Sequence, residues 1–147
     1  EAAATQAHAI GLADDLHVLC IDNDAAVLDG MATLLRQWGV GCDLAGGVDE
    51  AVTAVMRHRP DLILADYHLD AGENGLDALE RARASCAPPP PGALVTADNS
   101  AELQAQARAA GYAILRKPVR PAALRAVIAQ LTRRTRATTE AVTERDA

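Results

Sequence analysis

The stretch DLILAD at residues 61–66 constrains the fold of this chain more than any other. Its four consecutive apolar residues show no polar alternation, which predicts a short strand covered on both faces, as in a parallel sheet. A carboxylate that follows such a strand lies at its C-terminal end, where open α/β sheets bind their ligands. We therefore predict a parallel sheet with a site that includes Asp66.

Two further apolar stretches end on polar residues in the same way. Residues 18–21 (VLCI) lead into DND at 22–24, and residues 112–115 (YAIL) lead through Arg116 into Lys117. The carboxyl ends of neighbouring parallel strands lie at the same edge of a sheet. The pattern therefore predicts that several carboxylates and one lysine meet at one edge.

The composition fits a single domain with an aliphatic core. The chain has 147 residues, half of them hydrophobic, but only 2% are aromatic and Phe is absent. A chain of this length suits one core. The formal charge of -6 disfavours direct nucleic-acid binding, which needs a basic excess. No apolar run approaches the roughly 20 residues of a membrane span, so no direct membrane contact is predicted.

The chain start and the cysteines predict a cytoplasmic fragment. Glu1 is not an initiator Met, and no basic-then-apolar leader follows it, so we expect a fragment or processed product without a secretion signal. The three cysteines form no CxxC or Cys/His pattern, which argues against a disulfide framework and a zinc site. A reducing cytoplasm fits them best. His8 and His17 are isolated in the sequence and are predicted to be solvated.

Apolar periodicity divides the chain into five strands that alternate with five helices. The strands are predicted at about 17–22, 40–45, 61–66, 92–96 and 112–116, and the helices at about 25–38, 48–58, 75–86, 99–110 and 121–134. This alternation implies an α/β fold with helices on both faces of the sheet. We expect a linker over 1–16, one domain over 17–134 and a flexible polar tail over 135–147.

Two helices carry further local signals. Asp24 is placed to cap the helix at about 25–38 by accepting backbone N–H bonds. The helix at about 99–110 has Leu103 as its only large aliphatic residue, which predicts loose packing and mobility.

Five polar residues at predicted strand ends form the candidate site: Asp22, Asn23, Asp66, Thr96 and Lys117. Clustered carboxylates repel one another, and burying them is costly unless a cation is present. Oxygen ligands of this kind suit Mg²⁺. A carboxylate beside such an ion can attack phosphorus, while a lysine and a hydroxyl bind the other phosphoryl oxygens. The chemistry points to phosphoryl capture on an aspartate, and the alternative is that these groups only cap strands.

Four segments resemble the response-regulator receiver domain of two-component signalling: VLCIDND (18–24), DLILADYHLD (61–70), ALVTAD (93–98) and ILRKPV (114–119). The resemblance runs from about residue 17 to residue 134. It implies a flavodoxin-like (βα)5 doubly wound parallel sheet with strand order 2-1-3-4-5.

The resemblance assigns a role to each residue of the candidate site. It implies that Asp66 accepts the phosphoryl group, that Thr96 is the switch hydroxyl and that Lys117 binds the phosphoryl group. It implies a Mg²⁺ site formed by Asp22, Asn23, Asp66 and the backbone carbonyl of His68. A cis peptide bond is expected between Lys117 and Pro118.

Two positions depart from the family pattern. Asn23 stands where the family usually has a second acidic residue, and the loss of one negative charge predicts weaker Mg²⁺ binding. The switch aromatic of the family lies three residues before the lysine, where this chain has Ile114. Tyr112 is two residues earlier and is predicted to face the same side of the strand. The usual coupling of Thr96 to an aromatic residue is therefore not predicted here.

In their amino-acid sequence, these segments and the WG at 38–39 are most similar to receivers at the C-terminal end of hybrid sensor histidine kinases. The implied partner is a histidine kinase or a histidine phosphotransfer protein. The implied output is phosphorelay, partner binding or control of an attached kinase. A homodimer through the fourth helix, fifth strand and fifth helix is also expected.

Two other functions stay open on the sequence. A receiver-like interaction domain that no longer turns over phosphate would result if Asn23 impairs the metal site. An independent phosphatase with an aspartyl nucleophile is disfavoured, because His68 occupies the position two residues beyond Asp66 where such an enzyme needs an acid aspartate.

Overall fold

Five strands form one parallel sheet. The computed structural model describes residues 12, 15–70 and 72–146, and of residues 134–146 it describes the backbone only. The strands are β1 His17–Ile21, β2 Gly41–Ala45, β3 Leu62–Asp66, β4 Gly92–Thr96 and β5 Ala113–Arg116. Their order is β2-β1-β3-β4-β5, with every neighbouring pair parallel. This confirms the predicted flavodoxin-like α/β fold and its strand order.

Five helices accompany the strands: α1 Ala25–Gln37, α2 Val48–Arg57, α3 Gly75–Ala84, α4 Ala101–Ala110 and α5 Pro121–Asp146. Asp24 caps α1 as predicted, because its carboxylate accepts a hydrogen bond of 2.9 Å from the backbone N–H of Ala26. Within the described ranges, each helix is too short or too polar to cross a lipid bilayer.

Apolar side chains cover both faces of the sheet. On one face α1 and α5 pack against residues such as Val18 and Leu64, and on the other α2, α3 and α4 pack against residues such as Leu19 and Ile63. Every residue of β3 is buried, as its unbroken apolar run predicted. Each fully buried Leu or Ile contributes about 1.5–3 kcal/mol to the stability of the fold. Strand β3 therefore holds the carboxylate at its end in a fixed position.

The helix that precedes β5 is thinly packed. Only Leu103 and Ala107 of α4 are buried, which agrees with its weak apolar pattern in the sequence. Its ends are nevertheless well defined, because Ser100 accepts a hydrogen bond from Leu103 N and Gly111 ends the helix in the left-handed conformation.

The predicted end of the last helix at 134 was wrong. Helix α5 continues to Asp146, through most of the segment predicted as a flexible tail. Residues 135–146 contain no Pro or Gly, so no strong helix breaker interrupts this polar segment. At the other end, Leu12 and Leu16 of the predicted linker are buried in the core beneath α1 and α5.

Candidate functional site

The carboxyl ends of β1, β3, β4 and β5 bring the predicted site residues to one rim of the sheet. Asp22 directly follows β1, Asp66 and Thr96 are the last residues of β3 and β4, and Lys117 directly follows β5. The strand register aligns Ile21 with Ala65 and Asp66 with Val95, so the strand ends are level.

Asp66 is buried and only partly satisfied. Its side chain is 6% exposed, and its Oδ2 accepts a hydrogen bond of 3.1 Å from Lys117 Nζ. Its Oδ1 is buried and has no hydrogen-bond partner among the residues that the structure describes. A buried carboxylate oxygen without a partner is costly, so this atom is suited to bind a cation or a phosphoryl group.

Asp22 lies beside Asp66 and is also buried, with 6% exposure. Its Oδ1 accepts a hydrogen bond of 2.9 Å from the backbone N–H of Asp24. Burial raises the pKa of the Asp22 carboxyl above 3.8, and the negative charge of Asp66 adds to this, whereas the Asp24 N–H and Lys117 act in the opposite direction. Two buried carboxylates that disfavour each other's charge are suited to a divalent cation.

Asn23 and His68 lie at the same rim but are exposed. Asn23 follows Asp22 directly, so its amide oxygen is the neutral member of a donor set in which the other side chains are carboxylates. The backbone of His68 pairs with that of Asn74 in an antiparallel bridge, which folds the loop after β3 back on itself. An amide oxygen, two carboxylates and a backbone carbonyl are all hard oxygen donors, and this set fits Mg²⁺.

Gly75 allows this loop to close over the end of β3, which the sequence did not reveal. Its backbone N–H donates a hydrogen bond of 2.7 Å to the carbonyl of Tyr67. A Cβ at residue 75 would overlap the backbone carbonyl of Asp66, so only glycine permits this approach.

Thr96 ends β4 at this rim, whereas Tyr112 directly precedes β5 and is level with the start of β4, at the opposite end of the sheet. Thr96 is fully buried, and its Oγ1 accepts a hydrogen bond of 2.9 Å from the backbone N–H of Asp98. Tyr112 and Ile114 pack on the same face of the sheet, which confirms their predicted orientation. The Tyr112 hydroxyl accepts a hydrogen bond of 3.0 Å from Arg83 Nη1, so it is tied to α3. The predicted cis peptide bond between Lys117 and Pro118 is confirmed.

A cavity of about 240 Å³ adjoins the acidic residues. Asp22, Asp66 and Lys117 form its polar end, and the rest of its lining is mainly apolar: Cys20, Ile21, Val27, Leu28, Met31, Leu64, Val95, Pro118 and Val119. Because this lining comes from three strands, α1 and the loop after β5, sequence periodicity could not assemble it.

The fold and the rim define an α/β domain of the flavodoxin-like type that carries an acidic pocket at its carboxyl edge. Residues 18–129 match the family model described as response regulator receiver domain. The chain therefore belongs to the response regulator receiver family, which acts in two-component signalling and whose members generally bind Mg²⁺ at acidic residues. This confirms the family that the sequence segments indicated.

Curated relatives match part of the chain. The DNA-binding response regulator MtrA of Mycobacterium tuberculosis (strain ATCC 25618 / H37Rv) is 36% identical over 72 residues, which are 49% of this chain and 31% of MtrA. MtrA of Mycobacterium leprae (strain TN) is also 36% identical over 72 residues, which are 32% of its length. The match thus spans about a third of the length of these relatives.

Solved structures match more of the chain. A CheY-like receiver domain protein from Methanospirillum hungatei JF-1 superposes with a TM-score of 0.76 at 25% identity, covering 85% of this chain and 99% of that one. The chemotaxis protein CheY4 of Vibrio cholerae gives 0.71 at 21% identity, covering 80% and 98%. NtrX of Brucella abortus gives 0.78 at 21% identity, covering 88% of this chain and 29% of that one. The last two show the fold alone.

Proposed function

We propose that this domain accepts a phosphoryl group from a phosphohistidine onto Asp66. The observation that supports this most directly is the state of the Asp66 carboxylate. One of its oxygens is bound by Lys117 Nζ at 3.1 Å, whereas the other is buried without a hydrogen-bond partner in the described part of the chain. A carboxylate with one oxygen bound by a lysine and the other unpaired is suited to act as a nucleophile.

The proposed transfer uses residues of this chain at each step. Asp66 Oδ1 forms the new bond to phosphorus, the P–N bond to the donor imidazole breaks, and its electron pair returns to the imidazole. Lys117 Nζ and the Thr96 hydroxyl then bind phosphoryl oxygens at the adjacent strand ends.

Asp22, Asn23, Asp66 and the backbone carbonyl of His68 would hold Mg²⁺ in this proposal. The ion, when bound, neutralises negative charge on the incoming phosphoryl group. The donor set supports this assignment because it consists of hard oxygens, two of which belong to buried and mutually repelling carboxylates.

The proposed output is a shift between conformations of the surface formed by α4, β5 and α5. The thin packing of α4 on Leu103 and Ala107 supports this choice, because a helix with few buried contacts changes position at low cost. A histidine kinase or histidine phosphotransfer protein is the proposed donor, and the domain is proposed to be the C-terminal receiver of a cytoplasmic hybrid histidine kinase. The surface formed by α4, β5 and α5 is also the proposed homodimer interface. We propose that the domain does not bind nucleic acid or membrane directly.

Intact mass spectrometry tests the acceptor. We expect the chain to gain a transient phosphoryl adduct when incubated with a small-molecule phosphodonor and Mg²⁺. Asp66→Ala should abolish the adduct, whereas Asp49→Ala, which removes an exposed carboxylate in the first turn of α2, should retain it. An adduct of equal yield in Asp66→Ala would overturn the proposal.

Asn23 favours a second candidate, a receiver-like interaction domain with impaired phosphorylation. Its side chain brings an amide where a third carboxylate charge would stand beside Asp22 and Asp66. The same experiment distinguishes the two, because this candidate predicts no adduct on the unmodified chain at any Mg²⁺ concentration.

A further inference from the structure

A second group of metal-ligating side chains lies at the opposite rim of the sheet from Asp66. His17 begins β1, Asp43 lies in the edge strand β2, and His58 follows the last residue of α2. Among the residues whose side chains the structure describes, these are the only three His, Cys, Asp or Glu residues grouped closely enough to hold one metal ion. The prediction that His17 is isolated and solvated is wrong, because its Nε2 contacts Asp43.

The three side chains already face one another. His17 Nε2 lies 2.8 Å from Asp43 Oδ2, and the rings of His17 and His58 have centroids 4.1 Å apart. One ligand atom from each residue lies within 4.8 Å of the other two. The carboxylate therefore orients the first imidazole, and the second imidazole lies beside it at an interplanar angle of 52°.

The backbone around His17 makes room for this arrangement. Gly41 is the register partner of His17 on β2, and a Cβ there would lie 3.0 Å from His17 Nδ1. The backbone N–H of His17 is fixed by a hydrogen bond of 2.9 Å to Asp61 Oδ2. His17 is thus held in place, while His58 is exposed at the end of its helix and can adjust.

Two imidazoles and one carboxylate form a donor set for borderline transition-metal ions rather than for Mg²⁺. Tetrahedral Zn²⁺ with bonds of about 2.0–2.1 Å places neighbouring ligand atoms about 3.3 Å apart. His17 and Asp43 need to separate by a few tenths of an ångström to reach that spacing, and the exposed His58 needs to move inward. We propose that His17, Asp43 and His58 bind Zn²⁺ or a similar divalent transition-metal ion, with water at the remaining position.

This site is independent of the proposed phosphorylation chemistry. His17 begins β1 and Asp22 follows its other end, which separates the two sites by roughly 16 Å at about 3.3 Å per residue. Bound metal would connect the edge strand β2 to β1 and to the end of α2. Metal binding therefore stabilises the β2 edge of the sheet and leaves the acidic rim unchanged.

A Zn²⁺ titration of the full chain tests the proposal, carried out in excess Mg²⁺ against a chromogenic zinc indicator. We expect one tight site, with affinity at least tenfold weaker in His58→Ala and in His17→Ala. Because His58 is exposed, its substitution leaves the fold intact, which circular dichroism verifies. His68→Ala is the matched control, since it removes an exposed imidazole elsewhere and should leave Zn²⁺ affinity unchanged.

Co²⁺ provides a second readout, because imidazole and carboxylate coordination gives visible absorption bands that His17→Ala and His58→Ala should both remove. Zn²⁺ binding that persists when His17→Ala and His58→Ala are combined in one chain overturns the proposal. Zn²⁺ binding that is lost in Asp66→Asn or Cys42→Ser, which keep both imidazoles, also overturns it. Asp66→Asn should keep Zn²⁺ binding but form no phosphoryl adduct. This variant therefore distinguishes the Zn²⁺ site from the proposed function.

Discussion

The acidic residues at the carboxyl rim of the sheet and the hydroxyl residues Thr96 and Tyr112 are arranged differently. The acidic part is formed by Asp22, Asp66 and Lys117. Lys117 forms a direct ion pair with Asp66, and the charge of Asp66 acts on Asp22 at the adjacent strand end. The hydroxyl part, formed by Thr96 and Tyr112, is spread over both ends of the sheet, because Thr96 ends β4 at the carboxyl rim and Tyr112 is level with the start of β4 at the opposite rim. Thr96 is bound to its own loop, and Tyr112 is bound to Arg83 of α3.

This difference indicates that the proposed phosphoryl capture does not depend on a contact with Tyr112. The side chains of the acidic part lie close together because they follow the carboxyl ends of parallel strands in one sheet. The hydroxyl part depends on a helix and a loop away from the rim, because Arg83 also donates a hydrogen bond of 2.6 Å to the carbonyl of Pro90. Tyr112 is therefore restrained at the opposite rim by α3 and the proline loop, away from Thr96.

Lys117→Met should have the largest effect and tests whether the acidic part acts as a unit. We expect the rate of Asp66 phosphorylation by a small-molecule donor to fall about 100-fold, which is typical when one preorganised donor to a developing charge is removed. Arg120→Met removes an exposed cation in the same connection and should change the rate less than twofold. Equal phosphorylation rates in Lys117→Met and the unmodified chain would show that Lys117 does not bind the phosphoryl group during transfer.

Arg83→Met tests the hydroxyl part through stability. The substitution removes hydrogen bonds to Tyr112 and Pro90 and a guanidinium that lies 5.1 Å from the Tyr112 ring centroid. We expect urea denaturation to show a loss of about 1–3 kcal/mol in the free energy of unfolding. Arg81→Met, on an exposed position of the same helix, should change it by less than about 0.5 kcal/mol.

A double-mutant cycle sharpens this result. Arg83→Met and Tyr112→Phe should be coupled by at least about 0.5 kcal/mol, because each removes the same hydrogen bond. Strict additivity would mean that Arg83 supports α3 and the proline loop without restraining Tyr112.

Asp22→Asn should stabilise the metal-free protein while it removes Mg²⁺ binding. Burial raises the pKa of Asp22 above its unfolded value of 3.8, so the ionised carboxylate destabilises the fold at neutral pH. The amide keeps the shape and the acceptor for Asp24 N–H, and we expect a gain of about 0.5–2 kcal/mol. The gain should be full above the folded-state pKa and vanish as the pH falls below 3.8, where the carboxyl of the parent chain is protonated in both states. A gain that is independent of pH, measured by thermal unfolding, would assign it to packing instead.

The fold and the acidic part could be predicted because their signals are local. Strands β1, β3 and β5 are short, mainly apolar runs that lead to a candidate site residue, as in residues 61–66, so the topology alone brings Asp22, Asp66 and Lys117 together. The full length of α5 could not be predicted from the same signal, because apolar periodicity reports a buried stripe and residues 135–146 are polar.

The contacts that the sequence did not reveal join residues that are distant along the chain. Arg83 reaches Tyr112, and His17 reaches His58, only because α3 and α2 pack at particular positions against the sheet. A histidine without polar neighbours in the sequence can therefore still have a histidine and an aspartate beside it in the fold. Such pairs depend on register and helix packing, and single-sequence patterns do not contain these.

Asn23→Asp makes the finest test of the acidic part, because it restores one charge without changing size. We expect Mg²⁺ affinity, measured by isothermal titration calorimetry, to rise at least fivefold, which corresponds to about 1 kcal/mol for one additional charge near a cation in a solvated site. Asn99→Asp is the matched control, since it adds the same charge at an exposed position after β4 and should leave the affinity within twofold. An equal rise in both variants would attribute the gain to overall charge. An unchanged affinity in both would show that the exposed side chain of residue 23 is no ligand, and that Asp22 and Asp66 carry the metal site without it.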